Sequence, residues 1–358
     1  MIKFLSEQPK ELVRGGRVFC RVDFDVPFNP GGSIASDFRI KRCLPTIKYL
    51  LNLNCSVVLA TKLGKPREKK ISSEKILNFL ICQLAQSNLS FVKDYPNENA
   101  RKAIGSLKRG RALLLENVRL FPEENTERGE DFAYKFAKNF DFYVNEAFSI
   151  CHRKETSVTE LPKYLPSYAG LNLEKEVKVL SKVSKNPQRP LVMIIGGKKS
   201  ESKLPVIENF INKADKIFIA GALAQESEAL YFSRYENVTV LKLAKSGLDI
   251  SSKSTRDILN YLKSLTFGTV VWVGPISKFE VLEYEKGTKE VALAIANSRV
   301  FKVAGGGDTI SALEKFGVLE KFNFVSTGGG SVLKFLAGEK LPGLEVLAHP
   351  HSFGVSKN

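Results

Sequence analysis

Three glycine clusters in the second half of the chain have the make-up of phosphate-holding loops. Gly196-Gly197-Lys198-Lys199, Gly305-Gly306-Gly307-Asp308 and Thr327-Gly328-Gly329-Gly330 each follow an apolar run of strand length. Gly221 and Gly274-Pro275 follow two more. A backbone without side chains comes close to a phosphate and turns its N–H groups inward. The second and third clusters lead straight into helical patterns, whose N-termini favour anions. Lys199 and Lys203 stand beside the first. One such cluster is ordinary, because a tight strand-to-helix turn uses glycine for steric reasons alone. Three on one rim, with lysines, point to the phosphates of a nucleotide. Neither G-x-x-x-x-G-K-[ST] nor G-x-G-x-x-G occurs, which excludes the P-loop and nicotinamide-type Rossmann readings. There is no H-R-D loop of the protein-kinase kind.

The first half carries a different rim. Asp23, Thr61-Lys62 and Glu116-Asn117-Val118-Arg119 each follow an apolar run, and Lys62, Lys65, Arg67, Lys69 and Lys70 concentrate positive charge. The elements that must position both rims read as an α/β fold of two Rossmann-like domains with parallel sheets. Strands are expected at Arg17–Val22, Ser56–Ala60, Ala112–Leu115 and Phe142–Val144. The second half adds Leu191–Ile195, Lys216–Ala220, Asn237–Leu241, Thr269–Val273, Val300–Ala304 and Asn323–Val325. Amphipathic helices are expected between them at Arg39–Leu51, Ser73–Ala85, Asp131–Asn139, Pro205–Asn212 and Thr309–Phe316. Continuous apolar strands alternating with helices mean parallel sheets covered on both faces, and such sheets bind ligands beyond the carboxyl ends of their strands. Leu173–Lys185 reads as a helix ended by Asn186-Pro187. The expected organisation is a first domain over 1–172, a joining helix over 173–186, a second domain over 187–345 and a tail over 346–358.

The 358 residues are 43% hydrophobic and 26% charged, the balance of a folded globular protein. No stretch reaches the apolar length of a membrane span, and Met1–Glu7 lacks the form of a secretory signal, so the expected location is the cytoplasm. The five cysteines form no C-x-x-C pair, which leaves buried free thiols as the expectation. Three scattered histidines make no metal cluster. The net charge of +16 attracts anions. No aromatic residues interleave with the basic ones, so no nucleic-acid partner is expected.

Taken in order, these motifs resemble the phosphoglycerate kinase family along nearly the whole chain. The matching residues are Arg21-Val22-Asp23-Phe24-Asp25-Val26-Pro27, Asp37-Phe38-Arg39-Ile40, Leu44-Pro45-Thr46-Ile47, Leu114–Arg119, Val144–Phe148 and His152-Arg153. Further on come Gly196-Gly197 to Lys203, Val271-Trp272 with Gly274-Pro275, Phe279-Glu280, Gly305–Thr309, Ser326–Gly330 and Leu341-Pro342-Gly343. The resemblance implies Mg²⁺-dependent phosphoryl transfer between 1,3-bisphosphoglycerate and ADP, giving 3-phosphoglycerate and ATP. It also implies a monomer whose first domain holds the glycerate and whose second holds the adenine nucleotide, with hinge closure between them.

Carried over residue by residue, the resemblance places Arg39 and Lys203 at the transferring group, with backbone donors after Gly307 and Gly329. Asp23, Phe24, Asp25, Arg39, Lys62, Leu63, Gly64, Lys65, Arg119 and Arg153 fall on the glycerate side. Gly197, Lys199, Lys203, Gly221, Pro275, Glu280, Gly306, Gly307, Asp308 and Thr309 fall on the nucleotide side, with Asp308 toward Mg²⁺ and Glu280 toward the ribose. The chain departs from the family at Lys62 (usually His), Lys65 (usually Arg) and Asp25 (usually Asn). It departs again at Val273 (usually Asn), Ser202 (usually Asp) and Ser251 (usually Gly), and Lys198 replaces a small residue. Two other readings share these residues: a related kinase for another carboxylate or acyl phosphate, and a non-catalytic basic binding homologue.

Overall fold

A computed structural model describes residues 1–64, 70–84, 88–124, 126–198 and 200–348. The expected site residues Lys65 and Lys199 lie outside the described residues, as do His349 and His351. The chain forms two six-stranded parallel sheets. The first contains β1 (Arg17–Arg21), β2 (Ser56–Ala60), β3 (Leu89–Val92), β4 (Ala112–Leu115), β5 (Phe142–Asn145) and β6 (Ser167–Ala169), in the order β3-β4-β2-β1-β5-β6. The second contains β7 (Leu191–Ile195), β8 (Lys216–Ile219), β9 (Val238–Val240), β10 (Thr269–Val273), β11 (Phe301–Gly305) and β12 (Phe324–Val325), in the order β12-β11-β10-β7-β8-β9.

All ten strands expected from the sequence are present within a residue or two. The two it lacked are β3 and β6, the edges of the first sheet. The β3 strand is only partly buried and β6 is three residues long, so neither carries the unbroken apolar run of a central strand. Four of the five cysteines are buried thiols, and Cys82 is exposed. Among the described residues no helix is long and apolar enough to cross a membrane.

Internal contacts divide the chain into Met1–Glu176 together with the segment from Leu341, and Val177–Lys340. The division falls inside the helix Leu171–Lys185, within the stretch 173–186 that the sequence reading made a joining helix. The helix Pro342–Ala348, assigned through residue 345 to the second domain in the sequence reading, packs within the first unit. Gly343 donates its N–H to the Cys151 carbonyl at 2.9 Å, and Leu344 and Leu347 are buried. A short apolar helix shows in sequence that it packs, but not on which sheet.

The first turn of the helix Leu171–Lys185 is held by a buried carboxyl group. Glu146 accepts from the Asn172 N–H at 2.9 Å and the Leu173 N–H at 3.2 Å. Thr46 Oγ1 donates to Glu146 at 2.6 Å and accepts from the Leu171 N–H at 2.9 Å. Three of the N–H groups that a helix start leaves open are thus satisfied. Burial pushes the Glu146 carboxyl up to about 8, against the lowering effect of these hydrogen bonds. The unfolded chain therefore loses this proton near the ordinary glutamate value while the folded chain keeps it to about 8. The stability contributed by the retained proton is complete at acid pH and is lost as pH rises toward 8. Glu146→Gln should flatten that slope, so its stability relative to the parent rises between about pH 5 and 8. Urea unfolding across that range tests this; parallel pH profiles would contradict it.

Candidate functional site

The order of the second sheet dictates where its crevice opens. From β7 the chain runs outward to β8 and β9, then returns to the other side of β7 and continues through β10, β11 and β12. The reversal lies between β7 and β10, and the crevice of a doubly wound sheet opens at the carboxyl ends of that pair. The two loops there are Gly196-Gly197 and Gly274-Pro275, and they touch. Gly196 donates to the Val273 carbonyl at 2.9 Å, and Leu223 N–H, two residues after Gly221, donates to the Gly197 carbonyl at 2.9 Å. A Cβ on Gly221 would sit 2.8 Å from the Gly197 nitrogen and 2.9 Å from the Pro275 oxygen. Glycine at 196, 197, 221 and 274 is what lets three loops converge.

Lys203 is buried beside this junction, and its Nζ donates to the Lys198 carbonyl at 2.5 Å. The same Nζ lies within 3.3 Å of where Cβ atoms on Gly197 and Gly274 would stand. Burial on a glycine floor aims its charge at the crevice. Thr309 accepts the Gly274 N–H at 2.7 Å, leaving its hydroxyl proton to donate elsewhere. Gly306, at φ 97°, caps the helix Gly307–Lys315, and its N–H reaches the Gly328 carbonyl at 3.1 Å, so the second and third glycine clusters are joined. Gly307 and Asp308 are exposed on that helix's first turn, and a Cβ on Gly307 or Gly329 would meet nothing within 4 Å. Glu280 is exposed beyond the loop after β10.

Two of the departures on this side, Ser251 and Val273, have local explanations. Ser251 caps the helix Ser252–Ser264 by accepting the Ser254 N–H at 3.2 Å. Val273 ends a strand buried along its whole length. Nothing in the structure explains Ser202.

The first sheet reverses between β1 and β5, and the described residues expected on the glycerate side lie beyond the carboxyl ends of β1, β2, β4 and β5. Asp23 Oδ1 lies 3.4 Å from Arg39 Nη1, which also donates to the Asp25 carbonyl at 3.3 Å. The neighbouring Asp23 carboxylate holds the Arg39 guanidinium above its ordinary value. Asp25 Oδ1 accepts the Gly64 N–H at 2.9 Å, and burial raises its carboxyl. Asn117 fixes the loop after β2 by accepting from the Leu63 N–H at 3.0 Å and donating to the Leu63 and Ile71 carbonyls. Phe24 and Leu63 turn their side chains into the core, leaving only their backbone to the rim. Burial lowers Lys62 and Arg119, as expected for cations drawn partly out of water. Arg153 is exposed.

Three residues to which the sequence reading gave no site role organise this rim. Arg21, in β1, donates Nε to Ser157 Oγ at 2.8 Å, and Ser157 Oγ donates to Glu124 at 2.6 Å. Burial raises Glu124 to about 7 despite Arg21. Glu155 pairs with Lys62, and lies 3.8 Å from Arg153 and 3.9 Å from Arg21. Arg21 had a visible signal, a charge at the end of an apolar strand; Glu155 and Glu124 sit in charged loops and had none. The arrangement gathers cations that can hold an anion on the first unit, and a lysine beside converging glycine loops that can take phosphate on the second.

The family model described as phosphoglycerate kinase matches residues 10–240 and 225–339. The phosphoglycerate kinase of Aquifex aeolicus is 36% identical over 380 residues, covering 92% of this chain and 95% of the relative. That of Desulforudis audaxviator is 35% identical, covering 94% and 97%. Among solved structures, phosphoglycerate kinase from Pyrococcus horikoshii superposes with a TM-score of 0.85 at 28% identity over 97% of this chain and 98% of the other. The enzyme from Coxiella burnetii gives 0.80 at 28% over 97% and 99%. With two doubly wound units, a basic rim on one and a lysine-backed glycine crevice on the other, the chain belongs to the phosphoglycerate kinase family.

Proposed function

We propose that the chain transfers a phosphoryl group reversibly between 1,3-bisphosphoglycerate and ADP, with glycerate held at the rim of the first sheet and adenine nucleotide in the crevice of the second. The observation that supports this reading is Lys203, buried with its ammonium beside the converging loops of Gly197 and Gly274. The acceptor is a carboxylate, already ionised, so the reaction needs no general base; positioning and charge neutralisation remain. Lys203 and Arg39 supply positive charge to the transferring group, and backbone N–H groups after Gly306 and Gly329 supply donors. Asp23, held by Arg39, orients the glycerate, while Arg119 and Arg153 take its remote phosphate.

Mg²⁺ is commonly held by one or two carboxylates together with substrate phosphates. Exposed Asp308, on the first turn after the glycines, fits that donor set, and among the described residues no cluster of three His, Cys, Asp or Glu forms a closed site. The ion would neutralise phosphate charge. The same reading expects a monomer working in the cytoplasm.

Purified protein given MgATP and 3-phosphoglycerate should form the acyl phosphate, followed through a coupled reductase. Nucleotide binding without turnover would favour a different carboxylate acceptor, and failure to bind nucleotide would sink the kinase reading.

A further inference from the structure

The rim of the first unit contains an anion of its own. Glu155 is buried, and one carboxylate oxygen contacts Lys62 Nζ while lying 3.8 Å from Arg153 Nη1. The other oxygen faces Arg21 Nη2 at 3.9 Å, too far for a hydrogen bond, and both atoms are buried with no hydrogen-bond partner. Arg119 feels the same carboxylate. Glu155 therefore stands among four cations. Its backbone is fixed as well: the Glu155 carbonyl accepts from the Val158 and Thr159 N–H groups at 2.8 Å.

We propose that Glu155 is an internal counter-anion that sets phosphate affinity at this rim, a specificity-determining residue that weakens the grip of Lys62 and Arg153 on a substrate's remote phosphate. The proposal rests on the glycerate assignment above for its natural ligand, but not for its test. A purely structural ion pair and a counter-anion predict opposite signs. If Glu155 only props Lys62 and Arg153 in place, removing its charge loosens them and phosphate binds more weakly. If it competes with the ligand, removing its charge tightens binding, and more so for a dianion than for a monoanion, because the repulsion scales with ligand charge.

The test is calorimetric titration of inorganic phosphate and of 3-phosphoglycerate into parent and Glu155→Gln protein, with KM and kcat measured in parallel. The expected result is a fall in Kd of about tenfold for both ligands, a fall in KM without a gain in kcat, and a smaller effect on formate. The gain should shrink as salt is raised. Adding Lys62→Ala to E155Q should cancel it, which locates the effect at this rim. An unchanged or raised Kd in a variant with native circular dichroism would overturn the proposal, as would a gain that survives Lys62→Ala. If E155Q does not fold, Glu155→Asp retracts the charge by one methylene and should give a smaller fall in Kd; no fall there also counts against the proposal. Should the parent turn over no 3-phosphoglycerate, the kinase reading fails while the phosphate titration still decides the role of Glu155.

Discussion

Lys203→Ala is expected to lower kcat roughly 10²- to 10³-fold while the protein stays folded. The size follows from where the ammonium sits. In water a lysine would add little to the neutralisation of a phosphoryl group, because solvent screens it and must reorganise around it. Here the side chain is 7% exposed and its Nζ is anchored on the Lys198 carbonyl, so its charge is already in place when the reaction occurs. Truncation removes a charge held among glycines beside the Lys198 carbonyl. Lys203→Arg should not restore activity. The ammonium already occupies the space that Gly197 and Gly274 leave open, 2.8 and 3.3 Å from where Cβ atoms on them would stand, and the planar fork of a guanidinium is wider than an ammonium. Steady-state kcat with saturating MgATP and 3-phosphoglycerate decides the matter. Activity within a few-fold of the parent would remove Lys203 from the catalytic set.

The central strands were legible because each is a short, nearly continuous apolar run bounded by polar or glycine residues, the form taken by strands covered on both faces. The glycine-lined crevice was legible for the same reason: glycine clusters at strand ends mark themselves. What escaped was information that sequence distance hides. Pro342–Ala348 reads as an apolar helix, but only the space beside Cys151 and Val158 shows that it packs with the first unit. The edge strands β3 and β6 are half-exposed or three residues long, and pairing with a neighbour defines them more than composition does.

The basic rim was legible as charge but not as a balance of charge. Lys62, Arg119 and Arg153 stood out because cations after strands are conspicuous. Their counter-ions did not, because Glu155 lies 93 residues from Lys62, inside a run of polar residues. In the same way Glu146 belongs to a recognised motif, yet its work as a helix cap depends on Thr46, 100 residues earlier. Cations can be counted from sequence, but which of them remain available to a ligand depends on carboxylates that only the fold brings near. The replacement of a usual His by Lys62 is therefore a smaller electrostatic change than it looks, since the added charge meets Glu155.

Two glycines of the nucleotide rim should separate what glycine does for the fold from what it does for a ligand. Gly274→Ala is expected to destabilise the second unit by about 3 kcal/mol or more. Residue 274 has φ 90°, and a Cβ there would come within 2.6 Å of the Gly196 carbonyl carbon and closer to its oxygen. That carbonyl cannot retreat cheaply: Gly196 directly follows β7 and is tied through its N–H to Val273, the last residue of β10, with which β7 pairs. Gly274 also receives a hydrogen bond from Trp272 Nε1 at 2.7 Å and gives one to Thr309, so a shift at 274 would disturb three neighbours. Trp272 is the single tryptophan of the chain, and its fluorescence during urea unfolding reports this unit alone. Gly307→Ala supplies the contrast. A Cβ at 307 meets nothing within 4 Å and sits at the first position of a helix, where alanine costs nothing. Its unfolding midpoint should stay near that of the parent. If a phosphate approaches the backbone there, however, the added methyl group stands in its path, and turnover should fall with no loss of stability. Equal midpoints for both variants would mean that the crevice loops are slack enough to absorb a side chain, and the close approach of Gly196 and Gly274 would then not be what shapes the site.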